Sequence, residues 1–480
     1  KNAFLNCSSL SIITIPKGVA NIGSNVFSGC NVTIHCEVES RPGGWAEDWN
    51  GGNTVIWSNS ETVELKGLEF TLTDSEAIVT GFAIEADIDD MKNISIPSTI
   101  SVNSKDYDVT KINEEAFKGN ELLMSVTFAE NSKLTSIASN AFAFCSSLNS
   151  ISIPESVTNI EKGAFENCTN LDSITVPFIG EKLNGNNNTH FGWIFGATGP
   201  GANSEKVPDS LVSVTVLSGN ISANAFYKCA DISDITFGDG VAFIGSAALH
   251  QCNSLVKLTL PFVGTSSSDS TNAFLGYIFG DTSYQQQKND TNVPASLTEV
   301  TITGENAVAD CAFAGLKNLE TVTLNAKYIG NYVFAGCKGL KHVYVSDKIM
   351  EIGNSVFFDC ENLDYKEYNK AKYIGNQGNQ YLILVDGKNV QGQFEPNSST
   401  RIIADKAFFK SSSITAVKST KNVIMIGDNA FEGCASITYI SISESVANIG
   451  MDSFKNCSGI ENLTVAKQNN KYSSVDNCLI

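Results

Sequence analysis

The sequence predicts a β-rich repeat solenoid, a right-handed curved coil with a continuous parallel sheet on one face and short helical or 3-10 turns on the other. Three observations predict it. The first is a unit that recurs from end to end, seen whole between Asn140 and Ile160. Phe142 is followed by Cys145 at three residues, Leu148 at six, Ile151 and Ile153 at nine and eleven, Pro154, Val157 at fifteen and Ile160 at eighteen; Phe165 opens the next copy 23 residues on. A period in this range fixes an architecture of stacked turns. The second is alternation at positions nine to eleven: Ile151-Ser-Ile153, Ile174-Thr-Val176, Leu258-Thr-Leu260, Ile440-Ser-Ile442 and Leu463-Thr-Val465 each set a polar residue between two β-branched or Leu residues. That is the pattern of a short strand, and Pro or Gly often ends it. The third is cysteine phase: Cys7, Cys30, Cys145, Cys168, Cys229, Cys252, Cys337, Cys360, Cys434 and Cys457 all fall three residues after the repeat's Phe, or after Leu249 in one copy.

A strand this short cannot bury its apolar side alone. Stacking buries it against neighbouring coils and against the Phe, Leu and Ile of each turn. The Ala-Phe-x-x-Cys segment is expected to form one helical or 3-10 turn, with Asn140, Asn224 and Asn429 placed to cap it.

Taken in order, residues 1–60 read as the C-terminal end of one array. Two repeats are keyed on Phe4 and Phe27, Asn31–Cys36 is a last strand, and Trp45, Trp49 and Trp57 form a Trp-rich cap over the open end. An aromatic ligand cage is the functional alternative for these tryptophans. Residues 61–115 read as a β-rich N-terminal cap of a second array: 63–72 and 77–82 alternate with period two around Thr-Asp-Ser-Glu, a hairpin signal. The solenoid proper spans 116–480, its Phe position running through 117, 142, 165, 226, 249 (Leu), 313, 334, 357, 408, 431 and 454. Three steps are long and predict outgrowths at about 178–208, 262–294 and 369–400. The first two resemble each other, as Pro177-Phe-Ile-Gly180 with Phe191-Gly-Trp-Ile-Phe-Gly196, and Pro261-Phe-Val-Gly264 with Phe274-Leu-Gly-Tyr-Ile-Phe-Gly280. In the third, a strand at Tyr381–Val385 precedes Asp386-Gly-Lys-Asn, a hairpin-turn signal. The chain opens and closes in mid-repeat, so further sequence is expected on either side.

Composition excludes several function classes. The formal charge is −19 with only 17% charged residues, which suits neither nucleic acid nor an anionic membrane. No apolar run reaches the ~18 residues that span a bilayer, so no membrane insertion is expected. The 13 cysteines include no CxxC pair and the four histidines are scattered, so no metal site and no cofactor are expected. The phased cysteines read as a column of buried free thiols, with disulfides between neighbouring coils geometrically open. No Gly-x-Ser-x-Gly elbow and no phosphate-cradling loop occurs, so no enzyme is expected. The acidic stretch Glu85–Asp90 lacks the spacing of a calcium loop.

Two sets of residues are candidates for contact with a partner. The polar residue in the middle of each strand should align across coils, and here it includes Thr175, Thr215, Thr236, Thr259, Thr301 and Thr323, with Glu37, Glu367 and Lys418 as exceptions. Such a hydroxyl-lined face would accept a protein or glycan by many weak contacts, although strand propensity alone also places Thr there. The second set is aromatic: Phe191, Trp193 and Phe195 in one outgrowth, Phe274, Tyr277 and Phe279 in the next. Outgrowths on a rigid scaffold concentrate binding residues. The same aromatics would equally serve to dock a long excursion onto the solenoid.

The pattern Asn-Ala-Phe-x-x-Cys-x-x-Leu-x-x-Ile-x-Ile-Pro-x-x-Val-x-x-Ile-Gly resembles the BspA-like leucine-rich repeat family of bacterial and protist surface proteins, over essentially the whole chain. Departures are Asn120, Leu316 and Ser411 at the Cys position and Leu249 at the Phe position. The resemblance implies a secreted or cell-surface location and adhesion to host or matrix proteins. The expected function is therefore non-enzymatic adhesion or recognition of a protein or glycan partner. The rival is a structural protein that self-associates into filaments by end-to-end stacking of solenoids.

Overall fold

A computed structural model describes residues 2–38, 40–57, 62–73, 75–475 and 478–480. The boundary expected near residue 60, and Asp74 in the expected hairpin turn, lie outside them. The fold is the expected solenoid. Short parallel strands stack one per coil, in register, because each coil repeats the same inward-facing pair. Ten of them form one sheet, from Asn93–Ile96 through Ser173–Val176, Ser213–Ile221, Asp234–Ile244 and Lys257–Leu260 to His342–Val345. Inward residues such as Ile174, Val214, Ile235, Leu258, Val300 and Val322 are fully or almost fully buried. A second face carries two-residue strands at the Val-x-x-Ile position, as Ser136–Ile137 on Asn159–Ile160.

The third side is built from turns whose hydrogen bonds span three residues: Ala143 N to Asn140 O, Cys145 N to Phe142 O and Leu148 N to Cys145 O, at 3.0–3.2 Å. These are 3-10-type turns, as expected, but the asparagines do not cap them. Asn140, Asn224 and Asn429 sit at φ 55–57°, in the left-handed region, whereas a helix cap is extended. A second left-handed residue follows two places after the Phe: Phe144 at 62°, Lys228 at 62°, Gly433 at 75°. Two sign reversals flanking the Phe hold each turn to a single tight bend, and Asn and Gly are the residues that enter that region most easily. The turns also bond to one another: Phe142 N donates to Ala164 O and Phe334 N to Val356 O, at 2.8–2.9 Å. The Phe rings stack in a column, 5.3 Å apart for Phe117–Phe142 and again for Phe142–Phe165. At one corner Asx side chains clip successive coils together. Asp310 accepts from Asn331 N at 2.7 Å, and Asn331 Oδ1 accepts from Asn354 N at 2.8 Å.

The cysteine column is made of free thiols. Its members do more than fill space. Cys145, Cys168, Cys252, Cys337, Cys360, Cys434 and Cys457 each donate the S–H to the Phe carbonyl of the preceding coil, at 3.0–3.3 Å. Burial pushes the thiols of Cys145, Cys252 and Cys360 up to about 12.

Two regions differ from the simple stack. Among residues 2–57, strands Ile12–Ile15, Thr33–Cys36 and Val55–Trp57 form a parallel sheet of their own. Trp45 and Trp49 pack edge to face 4.7 Å apart in its core, and Trp45 Nε1 donates to Val19 O at 2.9 Å. Within 62–112, Thr62–Leu65, Leu68–Leu72 and Glu76–Phe82 form an antiparallel meander. The acidic stretch there is a helix start: Asp87 accepts from Asp89 N and Asp90 N at 2.9 and 2.8 Å. Among the described residues no group of three or more His, Cys, Asp or Glu is placed to hold a metal ion. No helix among them is long and apolar enough to cross a membrane.

The long sheet is interrupted once. After His342–Val345, strands Lys366–Tyr368 and Ala371–Ile374 pair antiparallel with each other, and Ala371–Ile374 pairs antiparallel with Ile383–Asp386. The parallel sheet resumes at Gly392–Phe394. The Asp386-Gly turn therefore does not close a hairpin. Ile383–Asp386 goes on to pair with Ile402–Ile403 and Gly392–Phe394 with Ile414–Lys418, so the turn rounds a corner between two faces of one coil.

Candidate recognition face and the outgrowths

The six threonines of the sheet form one row. Thr175 lies opposite Thr215, Thr215 opposite Thr236, Thr236 opposite Thr259, Thr259 opposite Thr301, and Thr301 opposite Thr323. Ser152 extends the row on one side and Tyr344 on the other. Each of the six is half-buried, with its hydroxyl-bearing side outward between two buried neighbours. Parallel strands lie about 4.8 Å apart, so the row is a regular line of methyl and hydroxyl groups. A second outward line runs beside it, and there Lys257 pairs with Glu299 at 3.5 Å.

Two of the three expected exceptions to the row do not stand in it. Register sets His35, not Glu37, beside Thr14. Glu367 leaves the face altogether, pairing with Lys372 in the antiparallel strands, and Gly375 stands beside Tyr344 instead. Lys418 does stand in the row, opposite Ser441. Sequence spacing missed the first two because each strand begins at an unmarked offset within an irregular coil.

The outgrowth aromatics lie inside. Phe191, Phe195, Phe274 and Phe279 are all at most 5% exposed, and Trp193 and Tyr277 are half-buried. The four phenylalanines are therefore corrected from surface contacts to core. The reason is that each outgrowth is a full coil of the stack. The 3-10 helix Phe191–Phe195 takes the place of an Ala-Phe turn: Phe165 N donates to Ile194 O at 2.8 Å, and Phe191 N to Ala225 O at 2.9 Å. Phe191 then stacks on Phe226 at 4.7 Å. Leu275–Phe279 repeats the arrangement, with Leu249 N on Ile278 O and Leu275 N on Ala312 O.

A buried amide staples each of the first two outgrowths to the stack. Asn203, fully buried, accepts from Gly192 N at 3.1 Å and donates to Ala225 O and Tyr227 O at 3.1 and 3.2 Å. Gln287, equally buried, accepts from Gly276 N at 2.7 Å and donates to Ala314 O at 3.0 Å, with Cys311 O and Ala312 O at 3.4 Å. Nothing periodic in the sequence marks either residue. The surface of the first two outgrowths is thus left to polar loops, Lys182–Thr189 and Ser266–Asn272 in part, and to short helices at Asn203–Lys206 and Tyr284–Asp290.

The chain matches the family model described as "BspA type Leucine rich repeat region (6 copies)" over residues 1–41, 90–189, 212–283, 291–380 and 389–478, most of its length. Among the curated proteins none matches. Among solved structures, a leucine-rich repeat protein from Bacteroides ovatus is 16% identical, covering 84% of this chain and all of that one, at a TM-score of 0.26. The pneumococcal vaccine antigen PcpA is 13% identical, covering 87% and 89%, at 0.23. An internalin from Listeria monocytogenes is 13% identical, covering 79% and 88%, at 0.37. The repeat-by-repeat match, not these overall superpositions, speaks for the fold.

Proposed function

The chain belongs to the BspA-type leucine-rich repeat family, and on that premise we propose that it is a non-enzymatic, secreted or cell-surface protein that mediates adhesion or recognition. One observation carries the reading: the row Thr175, Thr215, Thr236, Thr259, Thr301 and Thr323 stands in register on one unbroken sheet. A rigid face with its donors and acceptors already ordered offers a protein or glycan many small contacts at little entropic cost. Residues 1–60 and 61–115 belong to the same reading, as the closing end of one array with a tryptophan-rich cap and the opening cap of the next. Packed tryptophans and an antiparallel meander suit those roles, since both cover a core that stacking leaves open. Beads coated with the full chain should adhere to immobilised matrix proteins or cultured epithelial cells. Thr215→Arg combined with Thr259→Arg should weaken adhesion by roughly tenfold or more, a hot-spot-sized loss. Adhesion that survives both changes would move recognition away from this face.

A further inference from the structure

We propose that the cleft between the first array and the corner of the second is a binding site for a neutral oligosaccharide. The cleft encloses about 510 Å³, within the range of ligand sites. It lies apart from the threonine row. One wall is small and polar, from Ser8, Gly29, Gly51 and Asn53; the other presents Glu114, Glu161, Glu181 and the half-buried indole of Trp193.

The second wall is preorganised. Asn31 Nδ2 bridges the two arrays, donating to Glu114 Oε1 at 2.9 Å and to Ser139 Oγ at 2.7 Å. Ser139 N donates to Glu161 Oε2 at 3.0 Å, and Asn188 Nδ2 to Glu181 Oε2 at 2.7 Å. Trp193 is pinned by its Nε1 on Ile160 O at 3.0 Å. Glu161 and Glu181 are thus each oriented through one oxygen, while the second oxygen of each takes no hydrogen bond from the described residues; Glu114 is also held by Ser139. A ligand that fits must bring donors. A peptide brings a carbonyl for every N–H, whereas a sugar brings several hydroxyl donors and a C–H face for an indole.

The charge in the cleft is nearly balanced, so a neutral ligand meets no large uncompensated charge. Lys111, held at Thr54 Oγ1 by a 2.7 Å bond, acts electrostatically on both Glu161 and Glu114, and Lys162 also lines the cleft. Two ammonium groups therefore stand against three carboxylates.

The test uses the full chain with cellotetraose, maltotetraose and chitotetraose as probes, spermidine as the cationic control, and calorimetry with saturation-transfer NMR as readouts. At least one tetrasaccharide should bind, with an affinity insensitive to salt. Glu161→Ala with Glu181→Ala should weaken it about tenfold or more, the loss expected for charge-assisted hydrogen bonds. Ser8→Trp, at an exposed lining position, should abolish binding with the thermal transition unchanged. Thr236→Arg on the sheet should leave it intact, which separates this site from the adhesive face. Absence of binding by all three sugars overturns the proposal. So does sugar binding that persists in Ser8→Trp or is lost in Thr236→Arg, or binding of spermidine alone that salt removes.

Discussion

A regular coil and a coil that follows an insertion solve the same packing problem with different residues. Where the preceding coil has an ordinary Ala-Phe turn, the Phe carbonyl points at the column and a cysteine thiol takes it, as Cys337 does from Phe313 and Cys360 from Phe334. After an insertion that carbonyl is replaced. The coil after the second outgrowth has Leu316, and the coil after the third has Ser411, whose buried Oγ finds no partner among the described residues. After the first, Cys229 persists and meets the Asn203 side chain. At the start of the array Asn120 reaches Met91 O instead, at 3.0 Å. Cysteine is therefore chosen by its neighbour. The departures from the repeat are local answers to a missing acceptor, and in the outgrowths a long-range amide assumes the clasp.

The largest expected effect separates the two kinds of coil by pH. Thiols in the column are raised from 9.0 to about 12 at Cys145, Cys252 and Cys360 because burial disfavours the thiolate. Above pH 9 the unfolded chain loses these protons while the folded chain keeps them, so stability falls as pH rises. Each such thiol contributes a loss of about 1.4 kcal/mol per pH unit until its folded value is reached, so the three together cost about 4 kcal/mol per unit. Urea midpoints followed by circular dichroism should hold steady below pH 9 and drop steeply above it. A variant with Cys145, Cys252 and Cys360 replaced by Val should show a visibly shallower fall.

Next in size is the amide staple. Asn203→Ala strips Gly192 N and Tyr227 O of their amide partner in a buried site and leaves Ala225 O with the Phe191 N bond alone, and should cost about 2–3 kcal/mol. Gln287→Ala should cost a similar amount. Asn203→Asp is nearly isosteric yet turns an oxygen toward Ala225 O and Tyr227 O, so it should be no better than Ala. Equal midpoints for Asn203→Asp and wild type in urea denaturation would remove the staple from the account.

The periodic part of this fold was legible because a stack punishes any change of phase. Ile174, Val214 and Ile235 must face inward together, so Thr175, Thr215 and Thr236 face outward together, and both rows follow from spacing alone. The outgrowth aromatics had two readings, and only the bond of Phe165 N to Ile194 O decides that Phe191–Phe195 is a turn of the stack. Asn140 and its equivalents were visible but misread, since a left-handed turn and a helix cap select the same residue. Asn203 and Gln287 act on partners more than 20 residues away with no repeat to reveal them, and the cleft exists only where separate coils approach.

The smallest effect tests the comparison most directly. Cys337→Ala removes the S–H bond to Phe313 O and leaves a sulfur-sized void, which should cost about 1–2 kcal/mol. Ser411→Ala occupies the same place in a coil that lacks the acceptor. It deletes a buried hydroxyl that has no partner, so the stability should change by less than about 0.5 kcal/mol or rise. If the two substitutions cost the same, the column is held by volume alone and the Phe carbonyl plays no part in selecting cysteine. If only Cys337→Ala costs, each Cys bonded to a Phe carbonyl reports an ordinary turn beneath it, and Leu316 and Ser411 mark coils that follow a rebuilt one.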